Sequence, residues 1–186
     1  MSEGYKKVFW GFIFLTFHIN FVGFKMLPSF IAYMIIYYGI KKIYENYDLE
    51  GFKICGRLCI VLSVLSFFSL VIEVSPGWGI GNNVFFNLIW MNIFNVLEII
   101  MIYMLLCGSS EILKDKNNSL HESYNKRVIK YIILESIAVI AKNINMIFMS
   151  EILWGCALAL ELGLKIWIIV LSKEMYKISL KHEEIS

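Results

Sequence analysis

The chain has 186 residues, 59% of them hydrophobic and 17% charged, with a mean hydropathy of +0.68 and a formal net charge of +2. Soluble domains lie nearer half apolar and a quarter charged. This composition, with apolar runs approaching the length of a bilayer crossing, places the chain among multi-span membrane proteins and leaves no room for a separate soluble domain. The basic residues form no continuous stripe, so nothing points to nucleic acid.

Residues 1–7 are polar and end in Lys6 and Lys7. The first apolar run, 8–24, has the basic start of a signal peptide. No small-x-small cleavage pattern follows it, so we read it as a span, with Trp10 and the flanking lysines as anchors. Pro28 suits a helix start, because its missing N–H costs nothing in the first turn. The second span is therefore expected at 27–43, joined to the first by a tight link around Lys25. Tyr37, Tyr38, Tyr44 and Tyr47 gather at its far end, as an interfacial aromatic belt does.

This hairpin also carries a resemblance. Phe17-His18-Ile19-Asn20, then Leu27-Pro28-Ser29-Phe30-Ile31-Ala32-Tyr33 and a closing Tyr38-Gly39, resembles the N-terminal hairpin of an uncharacterised family of small Firmicutes multi-span membrane proteins. In that family an acidic residue is common where His18 stands, and Gly where Ala32 stands. The resemblance is confined to residues 17–40, and it implies a topology and a Gram-positive source, with no activity attached.

A charged loop at 44–57 leads to span three at 58–74, along which Ser63, Ser66 and Ser69 allow close helix approach. The turn-rich, uncharged stretch 75–83 follows, then span four at 84–107. A second charged loop covers 108–127. Spans five and six, 128–150 and 152–172, turn near Glu151, and the tail from Lys173 is polar. The expected fold is all-α: a single domain of six transmembrane helices arranged as three consecutive hairpins. With six spans both termini share a side, and that side receives fourteen of the seventeen Lys and Arg. The opposite side receives only Lys25. The positive-inside rule then puts both termini in the cytoplasm of a bacterial cell.

Charged and amide side chains inside the spans are the informative ones. Spans five and six carry Glu135, Lys142, Glu161 and Lys165. A turn near Glu151 sets Lys142 level with Glu161 and Glu135 level with Lys165, so two ion pairs are expected at two depths. On span four, Asn87, Asn92, Asn95 and Glu98 fall within about 140° of arc and must point at protein or water. Projection through antiparallel neighbours puts Glu98 near Glu135, and Asn92 near Lys142 and Asn143. Spans four, five and six should converge on one polar interior, holding three carboxyls against two amines. The odd carboxyl, Glu98 or Glu135, is expected to hold a proton. Such an interior is either a site for a proton, ion or polar solute, or a structural network that fixes helix register.

Three further features have two readings each. His18, in the outer half of span one with Asn20, is a proton-relay candidate or a hydrogen-bonded core histidine. Gly155, Ala159 and Gly163 form a small-residue face on span six, expected to pack internally against span two or three, or else against a second protein. Cys55 and Cys59, one helical turn apart, have the spacing of a metal or redox pair but no second ligand pair. With Cys107 and Cys156, they read as apolar filler.

No Ser-His, Cys-His or His-Glu-x-x-His arrangement appears, so no enzyme, cofactor or metal site is expected. The leading expectation is a protein that binds or translocates a small solute or ion, with proton linkage as one form of it, in size like the binding subunits of energy-coupling-factor transporters. The alternative is a non-catalytic assembly, immunity or regulatory partner of another membrane protein. The expected partners are the bilayer, a small-molecule or ion ligand, and a membrane protein.

Overall fold

Residues that propagate a helix without interruption give long rods here. The computed structural model describes residues 1–17, 20–21, 24–25, 28–74, 84–114, 118–148 and 150–183. It holds α1 (Ser2–Thr16), α2 (Ser29–Tyr44), α3 (Glu50–Val74), α4 (Val84–Lys114), α5 (Asn118–Phe148) and α6 (Glu151–Glu183). Between α1 and α2 lies a two-residue antiparallel ladder, β1 (Asn20–Phe21) with β2 (Phe24–Lys25), which pairs Asn20 with Lys25 and Phe21 with Phe24.

Several element bounds differ from the sequence expectation. Helix α1 begins at Ser2 and ends at Thr16, earlier at both ends than the apolar run 8–24. The ladder occupies the end of that run, where Phe21 and Phe24 are strand-favouring residues. Pro28 is the N-cap of α2, one residue before the first helical turn. The two charged loops are largely helix: α3 already starts at Glu50, α4 runs on to Lys114, and α5 starts at Asn118. The polar tail continues α6 to Glu183. Lys, Glu and Ser interrupt hydrophobicity but not helix.

Each helix packs on its neighbours in sequence, and α6 returns to pack on α1, which closes a ring of six. The contacts show antiparallel neighbours all along the chain. Gly4 meets Gly39 and Ile43, while Gly11 meets Ala32 and Ile36. Ser63 donates to the Phe30 carbonyl across α2 and α3. Cys55 donates to the Met101 carbonyl near one end of α3 and α4, and Trp90 Nε1 donates to Ser69 near the other. On α4 and α5, Ser110 meets His121 and Asn92 meets Asn143. Arg127 forks onto Glu174 across α5 and α6 at 2.7 and 3.2 Å.

The half of the ring nearer the Lys/Arg-rich ends is solid. Tyr5, Phe52, Met101, Leu105, Tyr124, Tyr131, Leu171 and Met175 are buried there. Tyr5 crosses the interior to donate to Ser109 at 2.9 Å. Cys55 and Cys59 belong to this core, where Cys59 Sγ lies against Met101 Sδ. At the rim, Lys42 pairs with Glu3 and holds that carboxyl below the usual range, through a hydrogen bond and its charge.

The outside of the ring is apolar. Along α5, Ile129, Ile133, Ile137, Ile140, Ile144 and Phe148 are all exposed, and along α6 so are Ile152, Leu158, Leu162, Ile166 and Val170. The spacing follows one face of each helix, and from Ile129 to Phe148 it covers about 28 Å at 1.5 Å per residue. Three helices contain stretches long and apolar enough to cross a membrane: Glu50–Leu70, Leu88–Lys114 and Glu151–Lys181. Helices α1 and α2 have only 15 and 16 residues. Helix α5 is interrupted by Lys130, Glu135 and Lys142. Six crossings are therefore more than helix length and composition alone support.

Candidate functional site

Apolar helices that carry charges can keep them only by turning them toward one another, and the ring does this. At its centre Glu161 is shared by two lysines: Lys142 from α5 at 2.5 Å, and Lys165 from one turn further along α6 at 3.1 Å. Exposure of these side chains is 13% for Lys142 and 21% for Glu161, so little water competes for either. The second expected pair, Glu135 with Lys165, is not formed. Glu135 Oε2 is buried without a hydrogen-bond partner. Helical geometry explains the exchange, because residues four apart on one helix are already neighbours, and Lys165 reaches Glu161 without spanning to α5.

Next to this triad, Asn92 and Asn143 make a reciprocal amide pair, with contacts of 2.9 and 2.7 Å. Two further amide atoms, Asn95 Nδ2 and Asn145 Oδ1, are buried without partners. Glu98 lies within reach of the charges of Lys165, Glu161 and Lys142, and Glu135 senses the same three groups and Glu98. All five ionisable groups thus form one electrostatic unit. Glu98 makes no ion pair among the described residues.

Beside this unit is a cavity of about 340 Å³. Asn95, Glu98, Glu161 and Lys165 line it, together with Tyr33, Ser66, Ser69, Trp90 and Phe94. It occupies the half of the ring away from the solid core. The walls differ from those expected. Among the described residues, helix α5 contributes none of the lining, and its Lys142 reaches the cavity-lining Glu161 without bordering the space itself. The missing wall comes from α2 and α3. Tyr33 had no sequence signal beyond one aromatic on a buried face. Ser66 and Ser69 did have one, as hydroxyls three apart on an otherwise apolar helix, which the packing explanation absorbed.

Of the remaining candidates, His18 lies outside the described residues, as does the side chain of Asn87. The family-like segment 17–40 is described only in part. The small-residue face of α6 does not pack internally. Gly155, Ala159 and Gly163 are exposed, and a Cβ added at either glycine meets nothing within 4 Å. The close backbone approach lies on α1 and α2 instead, where a Cβ on Gly39 would sit 2.7 Å from the Gly4 carbonyl oxygen and 2.9 Å from the Val8 nitrogen. Among the described residues, no three His, Cys, Asp or Glu side chains are placed to hold a metal ion. Compared with protein-family models, curated proteins and solved structures, the chain matches none.

Proposed function

We propose that the chain is a multi-pass protein of a bacterial cell membrane that binds or moves a small polar solute or ion through the interior of its helix ring. The single observation that carries this reading is the inverted polarity. Charges and amides are gathered inside the ring, with Asn95, Glu98, Glu161 and Lys165 bordering a cavity, while isoleucines and leucines cover the outside. In water such an exterior would aggregate, and in lipid it is solvated. A purely structural network has no need of a cavity bordered by Glu98 and an unpartnered Asn95.

In this reading all six helices cross the bilayer. The two short ones are accommodated by snorkelling and local thinning, and α5 is accommodated by the pairing of Lys142 inside the ring. The basic ends face the cytoplasm. A proton is the candidate coupling ion, since the interior holds one carboxyl more than it has amines.

The test is to purify the protein gently, release bound small molecules by denaturation, and identify them by mass spectrometry. The wild-type protein should carry a compound that Glu98→Gln lacks at unchanged melting temperature. If Glu98→Gln instead fails to fold, and the wild-type chain carries nothing, the network is structural.

A second reading, a non-catalytic partner of another membrane protein, has one observation in its favour: the exposed Gly155, Ala159 and Gly163 face. In that case Ala159→Leu would release a co-purifying membrane protein and leave the cavity unaffected.

A further inference from the structure

We propose that the cavity takes a small organic monocation that carries an acceptor oxygen, of the hydroxyalkylammonium class. This rests on the reading of the cavity as a solute site and names the chemistry of its ligand.

The charge count comes first. Lys142, Glu161 and Lys165 form a triad of net positive charge one. Glu98 and Glu135 add two carboxyls to it. With all five groups ionised the interior is left one negative charge in excess, which a proton on Glu98 or Glu135 removes when no ligand is bound and a bound cation would remove in the proton's place. Glu98 is the member of the surplus that borders the cavity. In a medium of low dielectric an uncompensated charge is the costly state. A monocation beside Glu98 removes it. An anion would add to it, and a zwitterion would leave it unchanged. Among the described residues, Lys165 is the only cation in the lining, and it is already engaged by Glu161.

The walls agree with that sign. Tyr33, Trp90 and Phe94 all border the space, and the Tyr33 and Phe94 rings lie 6.3 Å apart at 48°. Trp90 is oriented by its hydrogen bond to Ser69, at 2.8 Å. Aromatic faces attract an alkylammonium through their quadrupole and solvate its methylenes as well. They offer nothing comparable to a carboxylate.

The last feature is the buried Asn95 Nδ2, which has no acceptor. In this arrangement that nitrogen is closed off from the space, so a hydroxyl or carbonyl oxygen on the ligand would satisfy it on rotation of the Asn95 side chain toward the cavity, and a bare tetraalkylammonium would not. The volume of about 340 Å³ lies at the small end of known ligand sites, in keeping with a metabolite-sized guest.

Choline and 3,3-dimethylbutan-1-ol serve as probes. They share one shape and one hydroxyl and differ only in charge. Binding to the protein in lipid nanodiscs is measured by calorimetry, with propionate as the anionic control. Choline should bind at least about tenfold more tightly than its neutral isostere, and propionate should not bind. Glu98→Gln should erase that ratio. Because Glu98→Gln can compromise folding, Phe94→Leu is the second variant, expected to weaken choline and leave the isostere unaffected. Equal binding of choline and the isostere, or preference for propionate, overturns the cation assignment and leaves the solute cavity standing. Failure of all three probes overturns the cation assignment, and a wild-type chain that also carries no co-purified compound takes the solute reading down with it.

Discussion

Removing the Glu161 carboxylate leaves two largely buried ammonium groups side by side without their shared counterion. Breaking a buried ion pair from one side is among the few single changes that cost several kcal/mol, because the stranded charge is left uncompensated. We expect Glu161→Gln to destabilise the fold by about 3 kcal/mol, read as a drop in melting temperature in detergent. Removing the charge of Lys142 as well should recover most of that loss, so Glu161→Gln with Lys142→Met will melt above Glu161→Gln alone. Lys165→Met should be milder, since the Lys142 contact survives. The Asn92 and Asn143 pair is a separate case. Interhelical hydrogen bonds in membranes average about 0.6 kcal/mol, because the separated helices find other partners. A double-mutant cycle with alanine at both positions should give a coupling of that order. A coupling several times larger would mean that this pair, and not the triad, sets the register of α4 against α5.

Two helix surfaces rich in small residues behave in opposite ways, and the contrast shows what a sequence can and cannot reveal. On α1 and α2, two of the three atoms that meet a Cβ on Gly39, the Gly4 carbonyl oxygen and the Val8 nitrogen, are backbone and cannot swing aside. Gly39→Ala should therefore cost about 1–3 kcal/mol through overpacking. At Gly155 the same change enters open space and should be neutral or slightly stabilising by helix propensity. Parallel thermal melts of the two variants decide the point. From the sequence, Gly155, Ala159 and Gly163 made the more regular series and were expected inside. Gly4, Gly11 and Gly39 have no four-residue spacing, and their fit exists only once two helices are docked. The six helical segments themselves were legible, because apolar runs and turn-rich breaks alternate along the chain. Their ends were not, since charge marks where a helix leaves an apolar environment and not where it stops, as α6 shows by continuing through Lys173, Lys177 and Lys181 to Glu183. Depth matching brought Lys142 level with Glu161. It could not decide that Lys165 would turn to its own helix and leave Glu135 without a lysine, because that depends on helix rotation.

The ring as a whole encloses a cavity on one side of a solid core, and its Lys/Arg-rich ends all lie on the core side. If the bilayer reads that asymmetry in the usual way, a fluorescent protein fused after Ser186 should fold and fluoresce in the cytoplasm, and alkaline phosphatase inserted within residues 75–83 should be active outside. The opposite pattern would invert the topology without touching the helix packing. Closure of the ring by α6 on α1 also has a bearing on biosynthesis. The counterion of Lys142 resides on a helix that leaves the ribosome after α5, so if α5 crosses the bilayer as proposed it enters the translocon while its lysine is still uncompensated. A nascent chain arrested before Glu161 should therefore stay bound to insertion machinery or be degraded, and release into lipid should begin only once that one carboxylate has been translated.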